Sequence, residues 1–209
     1  MDVNNLTRKD KERLFRKNEI MQAALKLFAE KGFEHTSLDE IAVGSEFGKG
    51  TIYNYFSNKE EIYFEILRHS NDVYVEIFES VYNKTTNFKD FFLNFTKRIF
   101  EYSLNNIQIF RIHARLRTRT DVETNSYCNN EEFLEVNQKL TDKLRQRIKR
   151  SIDDGEIISV NIDSLINAFK AITMPYILFL LGTKEAAEID HNKEAEFIIS
   201  IFFNGISSK

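Results

Sequence analysis

Apolar positions recur at helical spacing in segment after segment of this chain. Ile20, Ala24, Leu27 and Phe28 form an i, i+4, i+7, i+8 stripe, which predicts a helix that stops at Gly32. Residues 1–18 are polar, frayed at the start and becoming helical by about Asp10. Ser37 followed three residues later by Glu40 is a capping box, and Leu38, Ile41 and Ala42 share one face behind it. A short helix therefore starts at Ser37 and ends at Gly44. Another start at Gly48 sets Ile52 and Phe56 on one face and Lys49, Thr51, Tyr53 and Asn54 on the others. Ser57 with Glu60 reads as a second capping box, which holds the helix of residues 49–56 to about 12 Å. The major groove of DNA is about as wide.

Ile62, Ile66, Val73, Ile77 and Val81 carry one helical face through residues 57–82, a rod of about 37 Å. Such a helix outruns the short helices before it and predicts a connector to a second domain. After a polar break at residues 83–90, Phe91, Phe92, Phe95, Ile99 and Tyr102 line one side of a helix over 88–104, and a shorter one follows over 107–117. Residues 118–130 are the least periodic and read as a loop. Phe133, Val136, Leu140, Leu144 and Ile148 mark a helix over 131–154 that ends at Gly155. Helices over 163–181 and 192–205 close the chain, the first interrupted by Pro175, which removes a backbone hydrogen bond and should kink or restart it. Both are apolar on more than one face, which calls for burial on several sides and predicts a partner subunit. The expected fold is all-α.

Residues 36–59, TSLDEIAVGSEFGKGTIYNYFSNK, with AALKLFAEKGF before them and the run GKGTIYNYFSNKEEI, resemble the helix-turn-helix of TetR/AcrR-family transcriptional regulators over residues 19–67. The resemblance implies an N-terminal three-helix DNA-binding domain (1–60, with a basic arm) and a C-terminal helical domain (61–209) for ligand binding and dimerisation. Thr36, Ser37, Tyr55 and Lys59 would then touch phosphates, and Lys49, Gly50, Thr51, Tyr53 and Asn54 would lie on or near base edges and backbone. Lys59 falls in the first turn of its helix, where a cation is unfavourable unless an anion is near. Where the family usually places a small residue and a glycine this chain has Ser45 and Glu46, so Glu46 is expected at a turn position that favours positive φ. Gly48 stands where the family often has Ser or Thr.

In the family, the last two helices form a four-helix bundle across a two-fold axis, which implies a homodimer reading a palindromic site on double-stranded DNA. Two recognition helices would lie about 34 Å apart or wider. Phe92, Phe95, Ile99, Phe110, Phe133, Phe169 and Tyr176 lie on helices resembling the family's pocket-forming ones, with His113, Arg117, Asn137 and Thr173 as polar anchors. Taken singly, each of these residues reads first as an ordinary core residue. The expected function is a repressor released by a small, largely apolar inducer. A helical adaptor or DNA binder without an inducer, and a helical enzyme, are the alternatives.

Composition narrows these readings. With 7 Gly and 1 Pro in 209 residues, turns are too scarce for a β-sandwich or α/β sheet. Net charge is −3 and the pI about 5.9, against a generally basic nucleic-acid coat protein. The charge is uneven, however, with Arg8, Lys9, Lys11, Arg13, Arg16 and Lys17 facing only Asp10 and Glu12. Such a local basic arm can contact phosphates. Arg111, His113, Arg115, Arg117 and Arg119 form a second basic run, either a solvated or ion-paired face or the seat of an anionic head group. Four scattered histidines, one cysteine and no nucleophile elbow predict no catalytic or metal site and no cofactor. The stretch GSEFGKGT superficially resembles a phosphate-binding loop, but its spacing fails on both sides of the second glycine. Cys128, the lone cysteine, reads as an inert thiol in a reducing compartment. The first 20 residues lack a signal peptide's apolar core, and the 13 uncharged residues at 171–183 are too few to span a bilayer, so a cytoplasmic protein without membrane contact is expected.

Overall fold

The computed structural model describes residues 7–118 and 131–206. The described residues form helices α1 (Arg8–Lys31), α2 (Leu38–Gly44), α3 (Lys49–Tyr53), α4 (Lys59–Tyr82), α5 (Phe88–Asn105), α6 (Ile107–Thr118), α7 (Glu131–Asp153), α8 (Ile162–Thr183) and α9 (His191–Ile206), with a 3-10 turn at Ala186–Glu188. The all-α expectation holds. The chain divides into two compact units, Met1–His69 and Ser70–Lys209, and α4 belongs to both.

In the first unit α1 begins earlier than its apolar stripe indicated. Thr7 accepts from the Asp10 backbone N–H at 3.2 Å while Asp10 accepts from the Thr7 hydroxyl and N–H, so the basic run lies inside α1 rather than ahead of it. Gly32 ends α1 at φ 90, a conformation that costs glycine little. Ile20, Met21, Ala24, Leu25, Phe28 and Ala29 of α1 are buried, as are Ile41, Ile52, Phe56 and Ile62 in the segments that follow. Phe28, Phe33 and Tyr63 close the far end, with ring centroids 5.0 to 5.4 Å apart.

The turn after α2 is a helix terminus of the Schellman type. Glu46 N–H donates to the Val43 carbonyl at 3.2 Å and Phe47 N–H to the Ala42 carbonyl at 3.1 Å. Glu46 sits at φ 59, the one non-glycine with positive φ among the described residues. Its side chain works against the backbone there by roughly 1–2 kcal/mol. The next start is displaced by one residue from the expected box. α4 opens at Lys59, Asn58 accepts from Glu61 N–H at 2.8 Å, and Glu61 in turn accepts from Ser57 N–H at 2.6 Å.

The second unit is built around phenylalanines. Phe91 stacks on Phe95 at 5.8 Å, Phe92 meets Phe169 at 4.6 Å, and Phe169 meets Phe202 at 5.7 Å, joining α5, α8 and α9. Arg147 is buried beneath this cluster, 5.4 Å from the Phe88 and Phe91 rings, and donates to the Ser151 hydroxyl and to Glu156. Glu156 also accepts from Phe88 N–H at 2.8 Å, so it ties the start of α5 to the segment after α7.

α8 runs unbroken through Pro175 and does not restart there. Over its 22 residues it is long and apolar enough to cross a membrane, which its uncharged stretch alone is not. Its buried Leu165, Ile166, Phe169, Ile177 and Leu180 belong to the core of the unit, and its Asp163 is ion-paired to Arg145 at 2.7 Å. These are features of a core helix.

Glu46→Gly should raise stability by about 1 kcal/mol, or roughly 2–4 °C in melting temperature, because glycine relieves the left-handed strain. Thermal unfolding followed by circular dichroism checks this, and an unchanged or lower midpoint contradicts it.

Candidate nucleic-acid interface and effector cleft

α2, the turn and α3 form the helix-turn-helix, and α3 is shorter than its sequence pattern indicated. Regular helix covers Lys49–Tyr53, after which Asn54 and Tyr55 continue as turns, with Tyr55 and Phe56 N–H both donating to the Ile52 carbonyl at 2.9 Å. Ile52 and Phe56 are buried and anchor the helix, which leaves Lys49, Gly50, Tyr53 and Asn54 exposed and Thr51 and Tyr55 half-buried. Tyr53, at 52% exposure, is a large aromatic that the fold leaves uncovered. No protein atom lies within 4 Å of where a Cβ on Gly50 would stand, so nothing inside the protein requires glycine there. Gly48 caps α3 with backbone alone.

Charges organise the same face. Ser37 and Glu40 form the expected box, the hydroxyl accepting from Glu40 N–H at 3.3 Å and Glu40 accepting from Ser37 N–H at 2.9 Å. The Lys31 ammonium, first of all, and then the Ser37 groups pull the Glu40 carboxyl down to a pKa of about 2. Lys49 lies 2.6 Å from Asp39 of α2, and that carboxylate holds the Lys49 pKa above its usual value.

Two of the expected phosphate contacts are instead engaged within the protein. The Thr36 side chain is buried, its hydroxyl donating to the Gly32 carbonyl at 2.8 Å. The Lys59 ammonium donates to the carbonyls of Phe33 (3.0 Å), Glu34 (3.4 Å) and Thr36 (3.2 Å), and stands 4.4 Å from the Phe33 ring centre. The partial negative charge that offsets Lys59's place in the first turn of α4 comes from the loop between α1 and α2. Lys59 thereby fixes the entry to α2 and the position of Ser37.

In the second unit a cleft partly open to solvent lies between Asn71, Tyr74, Phe95, Ile99, Leu140, Leu144, Phe169, Lys170, Thr173 and Met174. Phe95, Ile99, Phe169 and Thr173 were expected there. Phe92 and Phe110 are core residues instead, and Tyr176 donates to Glu194 at 2.5 Å with its own pKa pushed up to about 12 by burial and by that carboxylate. The side chains of His113, Arg117, Phe133 and Asn137 lie outside the described residues, as does the whole of Cys128. Asn71, Tyr74, Leu140, Leu144, Lys170 and Met174 were not among the expected pocket residues. The cleft forms where α4, α5, α7 and α8 meet, a juxtaposition that the spacing along any one helix does not display. Thr173 is 2% exposed, and its hydroxyl has no hydrogen-bond partner among the described residues. Its surroundings in the cleft are mostly apolar, so a hydrogen-bonding group entering the cleft would relieve it. Lys170, one turn earlier, donates to the Thr141 hydroxyl at 3.0 Å.

A short helix with an exposed polar and aromatic face, held by a buried three-helix scaffold, defines a helix-turn-helix DNA-binding protein. Residues 20–66 match the family described as bacterial regulatory proteins, tetR family. The uncharacterised helix-turn-helix transcriptional regulator YhgD of Bacillus subtilis (strain 168) is 31% identical over 140 residues, spanning 67% of this chain and 69% of that protein. The chain belongs to the tetR family of transcriptional regulators. Among solved structures, the fatty acid degradation regulator FadR of Bacillus halodurans superposes with a TM-score of 0.79 at 15% identity, over 91% of this chain and 95% of that one. FadR of Bacillus subtilis, in complex with stearoyl-CoA, gives 0.77 at 16% identity over 90% and 98%. At these identities the likeness is one of fold.

Two substitutions separate the roles. Lys59→Ala should destabilise the first unit by about 2 kcal/mol, since three carbonyls lose a charged donor, with a melting temperature lower by several degrees; an unchanged melt would make Lys59 a free surface cation. Thr173→Val should stabilise the ligand-free protein by about 1 kcal/mol, because it removes a buried hydroxyl that has no partner among the described residues, at nearly constant shape. A lower melting temperature for that variant would mean the hydroxyl is satisfied in solution.

Proposed function

We propose that the protein is a homodimeric repressor that binds a palindromic operator through α3 and leaves it when a small, largely apolar ligand occupies the cleft. On this reading Lys49, Gly50, Thr51, Tyr53 and Asn54 meet base edges and adjacent backbone, and Ser37 and Tyr55 meet phosphates. Thr36 and Lys59 hold that surface in shape from behind. Gly50, for which the fold itself has no steric need, lets the backbone approach the duplex closely.

The observation that carries the ligand half is Thr173, a buried hydroxyl without a partner among the described residues, in a mostly apolar cleft. It favours an extended apolar molecule bearing a hydrogen-bond acceptor or donor near one end, over a ligand that is polar throughout. The stearoyl-CoA bound by the solved FadR of Bacillus subtilis is one molecule of that general character. Ligand binding shifts the population away from the DNA-competent state by its differential affinity for the two states.

Dimerisation is supported by the last two helices. Ile172 and Phe179 of α8 and Phe197 and Ile201 of α9 are exposed, Phe179 by 62% and Phe197 by 51%. Apolar side chains of that size on adjacent helices suit a two-fold helical interface.

Selection of bound duplexes from a random library should return an inverted repeat. The double variant Lys49→Ala, Tyr53→Ala should lose that preference, with at least a hundredfold weaker binding to the selected site, while its sedimentation and circular dichroism stay those of the parent. Retained sequence preference in that variant would remove α3 from the reading head.

A further inference from the structure

The cap of α2 is made by Ser37 and Glu40, and Glu40 is also held by Lys31, which leaves its neighbour Asp39 outside that network. Asp39 turns toward α3 instead. Its Oδ1 stands 2.6 Å from the ammonium of Lys49, the first residue of α3. The side chains of Asp39 and Lys49 are 67% and 55% exposed, so the pair is presented to solvent rather than built into the scaffold.

An acid is out of place on a surface that meets a polyanion. A carboxylate accepts hydrogen bonds and donates none, so no phosphate can serve it. The donors that the major groove offers are N4 of cytosine and N6 of adenine. In a helix-turn-helix the N-terminal residues of the second helix are those that meet base edges, and Lys49 at that position has Asp39 beside it. Lysine finds its acceptors at O6 and N7 of guanine. Guanine O6 and cytosine N4 are hydrogen-bonded to each other within their pair, about 2.9 Å apart. The ammonium and carboxylate are spaced almost alike, at 2.6 Å, with charges complementary to that edge. The A·T edge is the poorer match, because its one donor, adenine N6, lies between two acceptors, adenine N7 and thymine O4. A carboxylate aimed at it meets an acceptor on either side.

We propose that Asp39 is a specificity-determining residue that reads one G·C pair in each half-site jointly with Lys49, the ammonium donating to guanine O6 and N7 and the carboxylate accepting from cytosine N4. The proposal rests on the reading of α3 as the recognition helix and adds to it a base contact from α2. On contact the ion pair opens and each partner exchanges the other for a base. Exposure of both side chains keeps that opening cheap.

The test uses the full-length protein and a duplex recovered by the random-library selection. Asp39→Ala should reduce the preference for G·C at one pair in each half-site from about tenfold or more to within about twofold, with the other positions unchanged. Lys49→Ala should lose preference at the same pair. Glu19→Gln removes an exposed acid from α1 and serves as control for the general effect of deleting a negative charge; it should keep the parent's base preference. A second measurement separates reading from positioning and begins with the unsubstituted protein. With the cytosine of that pair replaced by an analogue lacking the 4-amino group, the parent should bind about tenfold more weakly, while Asp39→Ala should bind the two duplexes alike to within about twofold. Unchanged G·C preference in Asp39→Ala, or loss at a pair other than the one lost in Lys49→Ala, overturns the proposal and leaves the role of α3 intact. An equal response to the analogue in parent and Asp39→Ala also overturns it and makes Asp39 a residue that only orients Lys49. Failure of the parent to select any sequence overturns both readings.

Discussion

Two of the helices on which recognition depends are too short to exist alone. α2 has seven residues and α3 five, and isolated helices below about a dozen residues are marginal in water. Their geometry is therefore borrowed, through the burial of Ile41, Ile52 and Phe56 in the core of the first unit. Everything exposed on α3 is placed by what is hidden beneath it. Lys59 completes the constraint by drawing three carbonyls of the α1–α2 loop around one ammonium. A hydrophobic anchor and a polar clasp together hold a surface with almost no internal stability of its own.

The second unit solves a different problem. Its phenylalanines interlock α5, α8 and α9 at ring separations typical of favourable aromatic pairs, which leaves little freedom in the core. Polar groups are admitted where they bind distant segments, as when Glu156 caps the start of α5 while accepting from buried Arg147. Against that background Thr173 stands out, because buried hydroxyls normally find a partner and its hydroxyl has none among the described residues.

Local chemistry was the legible part of the sequence. The Ser37–Glu40 box, the stop at Gly32, the strained place of Glu46 and the alternation of buried and exposed positions on α3 each depend on neighbours within a few residues. The misplaced start of α4 shows the limit of such signals. Glu60 and Glu61 are both available for capping, and the geometry favours Asn58 with Glu61 over Ser57 with Glu60. Thr7 escaped notice because no apolar stripe follows it closely. Lys59 and Thr36 were assigned outward roles because their partners are backbone carbonyls, which a sequence does not display. The cleft was half legible for a related reason. Phe92 and Phe95 are three apart on one helix and chemically identical, and only packing makes one a core residue and the other a wall.

The ion pair between Lys49 and Asp39 gives the reading head an internal competitor. On the proposed reading, a base or phosphate that recruits the Lys49 ammonium displaces a carboxylate 2.6 Å away, at a cost of at most about 1 kcal/mol because both side chains are more than half exposed. A duplex that offers Lys49 a poorly aligned acceptor gains almost nothing from it.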